Sequence, residues 1–257
     1  MSQLVFFVSV VFFLFGYDLS CLAQKKQKPI SFEYGKAYTY AECQENYLEF
    51  IKYFGIKNGD VIAEVGAASG YNLGGMSVFT DSISFYVQDI EPHYLNQKEF
   101  DKMVGHYSSI RKNSQTNTFQ FVIGTERKTN LPDATFDKII IYNTFHEFTY
   151  INEMIFDISK KLKPTGKIIL YEGLSYNNSP LILPGCFITA YQEVEIKQLF
   201  EKQSLYMTTK IFPGDTEYNI MIFEKDKTKA DDYVTKKAKA DVYIKKYNFM
   251  ESDAVFL

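Results

Sequence analysis

The stretch Val61-Ile62-Ala63-Glu64-Val65-Gly66-Ala67-Ala68-Ser69-Gly70-Tyr71 joins an apolar run to a loop of small residues. Its first five residues predict a buried strand, and residues 72–79 predict the helix that follows the loop. A strand, loop and helix in this order bring backbone N–H groups and the positive end of a helix close to a ligand. The loop differs from the dinucleotide-binding fingerprint, which needs a third glycine where this chain has Tyr71.

Strand and helix patterns alternate on both sides of this stretch. Apolar runs predict further strands at residues 83–89, 118–123, 138–142, 167–172, 205–212 and 218–223, and helical spacing predicts helices at 42–54, 93–111, 151–162 and 193–202. This order predicts an α/β fold with an open, mostly parallel sheet and helices on both faces. Ligands bind such sheets beyond the carboxyl ends of the strands, so the site is expected at the loops after residues 65, 88, 123, 142 and 171.

Length and composition limit the class of protein. The chain has 257 residues, with 28 Lys and Arg against 31 Asp and Glu, and its net charge of −3 excludes a chain built to neutralise nucleic-acid phosphates. Its 23 Phe and 20 Tyr supply apolar surface for a packed core, which excludes disorder. Three cysteines exclude a disulfide scaffold and a four-cysteine zinc site. Cys43 and Cys186 are expected to be two buried thiols, although an oxidising compartment would allow a bridge between them.

The first 23 residues predict a targeting segment. Residues 4–15 are apolar except for Ser9, a length that is short for a membrane helix and suits a signal peptide cleaved after Ala23. Lysines at 25, 26 and 28 instead favour a retained anchor with the domain in the cytoplasm, and lipidation at Cys21 is a third alternative. We expect export to the periplasm or the extracellular space, with membrane contact only through this segment. A domain over 24–225 and a C-terminal extension over 226–257, without an assigned role, would follow.

Four motifs in sequence order carry a resemblance to a known family. They are the strand and loop of residues 61–71, Asp89 at the end of the next strand, Leu131-Pro132-Asp133-Ala134-Thr135-Phe136-Asp137 before the fourth strand, and Leu162-Lys163-Pro164-Thr165-Gly166 before the fifth. From Glu42 to Lys225 the chain resembles the class I S-adenosylmethionine-dependent methyltransferases. The resemblance implies a Rossmann-like fold with a seven-stranded sheet, S-adenosylmethionine as the cofactor, and methyl transfer to a small molecule.

The resemblance also implies roles for individual residues. The methionine end of the cofactor would contact the loop after the first strand, at Glu64, Gly66, Ala67, Ala68 and Gly70. Asp89 would bind the ribose, and Asn143 would lie at the sulfonium. The adenine would contact Ile90, Gly124 and Thr125. Ala68 stands where the family usually has glycine, and its methyl group costs about 1 kcal/mol if the backbone needs a positive φ. Thr125 replaces an acid that is common beside the adenine. These departures are compatible with a second function. An export signal is compatible with it as well, because it would separate the chain from a cofactor that is made in the cytoplasm. The second function is that of a non-catalytic nucleoside-binding or interaction protein of the same fold.

The spacing of the residues supports the ribose role of Asp89. It follows Gly70 by 19 residues, near the roughly 20 that are typical between a glycine loop and a ribose-binding acid. The alternative is that Asp89 only caps the helix after it.

His146, in the segment after the fourth strand, is the candidate catalytic residue. A base is needed only if the acceptor must lose a proton, and the usual pKa of histidine, near 6.5, suits that role. The alternative is a structural role at the start of the next helix. Acids and histidines show no metal-ligand spacing, so no metal is expected. The acceptor is expected to contact residues 32–40 and 173–187, whose aromatic and amide side chains either form a lid or belong to the core: Tyr34, Tyr38, Tyr40, Tyr176 and Asn177.

Overall fold

One sheet organises the part of the chain that the structure describes. The computed structural model describes residues 35–176, 179–183, 185–213, 217–226 and 228, and the backbone of 234–237. The strands within these residues are β1 (Val61–Val65), β2 (Ser84–Asp89), β3 (Thr118–Ile123), β4 (Phe136–Tyr142), β5 (Leu162–Gly173), β6 (Tyr206–Phe212), β7 (Tyr218–Glu224) and β8 (Val234–Lys237). The α-helices are α1 (Tyr40–Tyr53), α2 (Tyr71–Ser77), α3 (Gln97–Ile110), α4 (Ile151–Lys161) and α5 (Glu193–Glu201), and a 3-10 turn covers Phe145–Glu147.

The strand order across the sheet is β3-β2-β1-β4-β5-β7-β6-β8. β7 runs antiparallel to both of its neighbours, β5 and β6, and every other neighbouring pair in the described sheet is parallel. The predicted α/β fold with an open, mostly parallel sheet is confirmed. β8 lies in the C-terminal extension and pairs with β6, so the extension adds a strand to the seven that the sequence predicts.

The strand order reverses between β1 and β4. From β1 the chain moves outward through β2 to β3, then crosses back to add β4 and β5 on the other side. Val65 is aligned with Gln88 of β2 and with Ile141 of β4, so the carboxyl ends of these three strands lie level. The loops after them open at the same edge of the sheet, which is the place where such folds bind ligands.

Apolar side chains cover both faces of the sheet. Along β4, Ile140 packs toward α1, α2 and α3, whereas Ile139 and Ile141 pack toward α4 and α5, because successive side chains of a strand point to opposite faces. With helices on both faces, a central strand has no solvated side, and its sequence is a continuous apolar run. The prediction of helices on both faces is confirmed.

Side-chain caps shift some of the predicted element boundaries. Thr39 Oγ1 accepts a hydrogen bond from the Glu42 N–H, and the Glu42 carboxylate accepts one from the Thr39 N–H, so this capping box starts α1 at Tyr40. The next long helix, α3, starts at Gln97 and not near residue 93. Residues 162–166, which the sequence analysis places before the fifth strand, belong to β5 itself.

Two further predictions concern the N-terminal segment and the cysteines. The predicted targeting segment, residues 1–23, lies outside the described residues. No helix within the described ranges is long and apolar enough to cross a bilayer. Cys43 and Cys186 are both free thiols. Cys43 is fully buried in the core, as predicted, whereas Cys186 is only half-buried.

Candidate functional site

The loop after β1 contains three residues with left-handed backbone. Gly66, Ala68 and Gly70 have φ angles of 73°, 47° and 81°. A Cβ atom at Gly66 would overlap the Thr144 side chain, and a Cβ atom at Gly70 would lie 2.8 Å from Val87. Both glycines are therefore required by their neighbours as well as by their φ angles. Ala68 adopts the left-handed conformation although it carries a methyl group. The backbone strain that is expected for a positive φ at this position is therefore present.

Asp89 joins this loop to the end of β2. Its Oδ2 accepts a 2.6 Å hydrogen bond from the Ala68 N–H, and its Oδ1 accepts bonds of 2.7 and 2.9 Å from the N–H groups of Ile90 and Glu91. The loop and the carboxylate therefore meet at one edge of the sheet. Three donors leave roughly one of the four lone-pair directions of this carboxylate for a ligand hydroxyl. The capping alternative does not hold for α3, because the Asn96 side chain caps that helix.

Glu64 lies beneath the loop and is 1% exposed. Its Oε1 accepts a 2.7 Å hydrogen bond from Asn72 Nδ2, and Asn72 Oδ1 accepts a 3.0 Å bond from the Tyr47 hydroxyl. Glu64 Oε2 has no hydrogen-bond partner among the described residues. Burial and the nearby charge of Asp89 raise the pKa of Glu64 to about 8, against the opposing effect of the hydrogen bond from Asn72. The carboxyl group is therefore largely protonated at neutral pH.

Two amide side chains at the ends of β2 and β4 carry buried polar atoms. Asn143 has a φ of 51°, and its N–H donates a 2.7 Å hydrogen bond to the Tyr171 carbonyl. Within the described residues, Asn143 Oδ1 and both amide atoms of Gln88 lack a hydrogen-bond partner. Buried polar atoms in this state cost free energy unless water or a ligand satisfies them. A polar ligand in the space beside them would do so.

A cavity of about 340 Å³ opens at the carboxyl ends of β1, β2 and β4. Six of the predicted cofactor residues line it, namely Gly66, Ala67, Ala68, Asp89, Ile90 and Asn143. Thr144 and Phe148 also line it, in the loop after residue 142 where the sequence places the site, whereas the sequence missed other lining residues, among them Asn72, Gln88, Tyr142 and Met154. Of these, Asn72 has a signal in the sequence, because it is a polar residue in the first turn of the helix that starts in the small-residue loop. The others lie at strand ends and after β4, where no motif marks them.

Four predicted cofactor residues lie outside this lining, namely Glu64, Gly70, Gly124 and Thr125. The first two support the loop from inside the protein. Gly124 donates its N–H to the backbone carbonyl of Asp89 at 2.9 Å. Thr125 lines an adjacent depression that shares Ile90, Glu91 and Glu126 with the cavity. A ligand that extends past Ile90 would therefore reach Thr125.

His146 also lies outside the cavity lining, so the structure does not bring it to the place that a base requires. Its side chain is 1% exposed, in the 3-10 turn after β4. Nδ1 lies 3.0 Å from Glu172 Oε1, and Nε2 lies 3.3 Å from Cys186 Sγ. Burial lowers the pKa of His146, but the hydrogen bond and charge of Glu172 outweigh burial and hold that pKa above its usual value. The adjacent Glu147 lines the cavity instead.

Tyr38, before α1, and Tyr40, its first residue, pack in the core. Tyr38 and Tyr40 pack edge-on against aromatic rings of α1 and of the turn after α2, with ring centroids 5.8 and 5.1 Å apart. Of the two readings that the sequence allows for these residues, packing in the core fits Tyr38 and Tyr40. Tyr176 is exposed. Tyr34 and Asn177 lie outside the described residues.

Comparison with known proteins identifies chains with a similar domain. Residues 63–170 match the family model of a methyltransferase domain, and all residues that line the cavity fall within this range. A chain from the complex between the Haloferax volcanii Trm112 methyltransferase activator and a methyltransferase is 13% identical with a TM-score of 0.52, covering 72% of this chain and 91% of that one. A SAM-dependent methyltransferase from Aquifex aeolicus is 19% identical with a TM-score of 0.50, covering 72% and 97%.

A third solved structure is similar over a comparable share of the chain. A TehB-like SAM-dependent methyltransferase from Corynebacterium glutamicum is 14% identical with a TM-score of 0.50, covering 75% of this chain and 90% of that one. Among curated proteins, none matches the sequence significantly. The fold is thus the Rossmann-like fold of these solved methyltransferases, and residues 63–170 match a methyltransferase domain.

Proposed function

We propose that this chain binds S-adenosylmethionine in the cavity after β1, β2 and β4 and transfers its methyl group to a small molecule. The observation that carries the proposal is the junction between the loop and Asp89, where the Ala68 N–H reaches the carboxylate at 2.6 Å. This junction puts a carboxylate and a loop of small residues beside one cavity, which is the arrangement that a nucleoside with a ribose and a charged tail requires.

The residues that line the cavity fit this cofactor. Asp89 keeps a free lone-pair direction for a ribose hydroxyl, and Ile90, 37% exposed, offers an apolar surface to the adenine. Asn143 Oδ1 and the Gln88 amide carry the hydrogen-bonding capacity that the described residues leave unused. Glu64 lies on the far side of the loop, where its raised pKa would fall if the cationic amino group of the cofactor bound nearby.

The bound cofactor would supply an electrophilic methyl group on a sulfonium. The chain would contribute position and the exclusion of water, because an in-line displacement depends mainly on holding the two reacting atoms in register. Tyr142, Phe148 and Met154 form an apolar part of the cavity wall, which supports a small, partly apolar acceptor. Since His146 lies outside the lining, we assign no base, and we propose an acceptor atom that attacks with an available lone pair.

Calorimetric titration of the full chain with S-adenosylmethionine and with S-adenosylhomocysteine tests the proposal. Asp89→Ala should weaken binding by about 1–3 kcal/mol, roughly 5-fold to 150-fold, because the ribose hydroxyls lose their acceptor. Asp89 also holds the loop, so Ile90→Ala at the exposed rim serves as a second variant that leaves the loop bonds intact. Asp101→Asn, on the exposed face of α3, is the matched control and should bind normally. A folded wild-type chain that binds neither compound would end the proposal.

A non-catalytic nucleoside-binding protein is the second candidate function. It is supported by Ala68, which keeps a strained backbone (φ 47°) at a position where glycine would be free of strain. Both functions predict cofactor binding, so binding does not separate them. Incubation of the chain with methyl-labelled S-adenosylmethionine and a small-molecule extract does, because only the enzyme transfers label to an extract component.

We also propose that residues 1–23 direct the chain out of the cytoplasm, with a retained anchor as the alternative. The apolar run at residues 4–15 supports this proposal, and its modest length favours cleavage. A topology reporter fused after Leu257 tests it. An external signal supports export, whereas a cytoplasmic signal supports the anchor and places the domain with the supply of its cofactor.

A further inference from the structure

Three side chains with metal-ligating atoms meet beside the cavity. His146 Nε2 lies 3.3 Å from Cys186 Sγ, Cys186 Sγ lies 3.4 Å from Glu147 Oε1, and Glu147 Oε1 lies 3.8 Å from His146 Nε2. The first two residues on the chain belong to the 3-10 turn after β4, and Cys186 belongs to the loop between β5 and α5. The sequence shows no metal-ligand spacing because 39 residues separate Glu147 from Cys186.

Two of these three separations match the edges of a tetrahedral zinc site, and the third is slightly longer. Zinc–ligand bonds of about 2.0–2.3 Å at tetrahedral angles place neighbouring donor atoms roughly 3.3–3.6 Å apart. The triangle formed by the imidazole nitrogen, the thiol sulfur and the carboxylate oxygen has sides of 3.3, 3.4 and 3.8 Å. A cation would therefore fit this face with only small side-chain adjustments.

A buried carboxylate orients the histidine. Glu172 Oε1 lies 3.0 Å from His146 Nδ1, and the Glu172 side chain is 0% exposed. The N–H groups of Phe145 and Gly173 hold this carboxylate in place with bonds of 3.0 and 3.2 Å. When Nδ1–H donates to Glu172, Nε2 presents its lone pair to Cys186. Histidines that bind metals commonly donate their other N–H to a carboxylate in this way.

Protons alone do not satisfy the three atoms in this tautomer. The Cys186 S–H is the single donor between two acceptors, the Nε2 lone pair and the Glu147 carboxylate. It can serve one acceptor at a time, and the 3.8 Å edge between His146 and Glu147 joins two acceptors. A divalent cation in place of the thiol proton satisfies all three atoms at once. The competing arrangement is an imidazolium His146 that donates from Nε2.

We propose that His146, Glu147 and Cys186 form a zinc-binding site at the wall of the cavity, with Glu172 as the residue that positions His146. Zinc accepts this mixture of nitrogen, sulfur and oxygen donors. Three protein ligands leave a fourth position for water or for an oxygen or sulfur atom of a small molecule. Glu147 is also part of the cavity lining, so the metal lies next to the space where the acceptor would bind. Metal binding itself does not depend on the cofactor.

Titration of the metal-stripped full chain with cobalt(II), without cofactor, tests the site. One cobalt ion per chain should bind with a thiolate-to-cobalt charge-transfer band, and zinc should displace it. Cys186→Ser should abolish the band and weaken binding more than about 100-fold. Glu147→Gln should keep the band and weaken binding about 10-fold. Glu172→Gln, which loosens the orientation of His146, should keep the band and weaken binding roughly 10-fold to 100-fold.

Control variants separate this site from adventitious binding. Cys21→Ser and Cys43→Ala remove the other two thiols and should keep both the band and the affinity, and His93→Gln, at an exposed histidine, should do the same. If Cys186→Ser fails to fold, the cobalt affinity of Glu147→Gln tests the proposal instead. The Glu147 side chain is 54% exposed, so its replacement should leave the fold intact. Cobalt bound without a thiolate band, or with an affinity that Glu147→Gln leaves unchanged, would overturn the proposal in favour of the imidazolium arrangement.

Discussion

Replacement of Ala68 by glycine should stabilise the protein and leave its candidate site intact. Ala68 has a φ of 47°, and a residue with a Cβ atom in this left-handed conformation costs roughly 1–2 kcal/mol relative to glycine. Glycine adopts the same conformation freely and keeps the N–H that donates to Asp89.

The expected magnitude follows from two opposing effects. Relief of the backbone contributes roughly 1–2 kcal/mol, whereas the greater freedom of glycine in the unfolded chain removes about 0.4–1 kcal/mol. The difference is a stabilisation of about 0.5–1 kcal/mol. In a chain of this size it should raise the Tm by roughly 1–4 °C.

Urea and thermal unfolding of three variants would measure this effect. Ala134→Gly is the matched control, because Ala134 has a φ of 49° and is exposed far along the chain from the loop. It should be stabilised by a similar amount. Ala67→Gly changes the neighbouring residue, which is buried and does not have a positive φ. That variant should lose about 0.5–1 kcal/mol.

The combination of outcomes decides the reasoning. If Ala134→Gly is stabilised while Ala68→Gly is neutral or destabilised, then backbone strain does not dominate at Ala68 and its methyl group must pack favourably. Cofactor titration of the same variant adds a second result. A gain in affinity well beyond the change in stability would mean that Ala68 had weakened a binding loop, which favours the non-catalytic function.

Two further substitutions test the buried parts of the site. Glu64→Gln should alter the pH dependence of stability. The pKa of Glu64 in the folded state is raised to about 8, whereas its unfolded pKa is near 4.5. The contribution of Glu64 to stability is therefore fully present below pH 4.5 and is lost as the pH rises through 8. Urea unfolding should show that the free energy of unfolding of the variant, relative to wild type, increases between about pH 5 and pH 9 by about 5 kcal/mol at most. An equal pH dependence for both proteins would show that Glu64 ionises in the folded state without a cost in stability. Gly70→Ala should cost more than about 3 kcal/mol, since it combines left-handed strain with a Cβ atom 2.8 Å from Val87. Gly59→Ala, with a φ of 87° and open space around it, should cost only about 1–2 kcal/mol, and equal losses for both would refute the packing argument.

Local patterns in the sequence were sufficient to predict the fold. Most strands from β1 to β7 are short apolar runs bounded by polar or glycine-rich segments, and most helices show a spaced apolar face. Periodicity therefore placed these elements within a few residues, except for the start of β5. The junction between the loop and Asp89 was predictable for the same reason. Parallel neighbouring strands end at one edge, so Ala68 and Asp89, 21 positions apart along the chain, come into contact.

Contacts that depend on long loops were not predictable. Cys186 reaches His146 from a loop that carries no periodic signal, and the shared environment of these residues exists only after the sheet has formed. The role of Gly70 was also obscured, because a glycine needed for packing against Val87 looks the same in sequence as a glycine needed for a ligand. The strand β8 lies in a segment whose Lys-rich composition hides its pairing with β6.

Strained backbone on both sides of the strand-order reversal indicates that the cavity exists before a ligand binds. Ala68 after β1 and Asn143 after β4 are non-glycine residues with φ angles of 47° and 51°. Each is held by a backbone N–H bond to a neighbouring strand, at 2.6 Å to Asp89 and at 2.7 Å to Tyr171. Such conformations persist only where the surroundings fix them, and they cluster at binding sites. Because the sheet has already imposed this strain, a nucleoside would bind without ordering the loop, and more of its contact energy would appear as affinity.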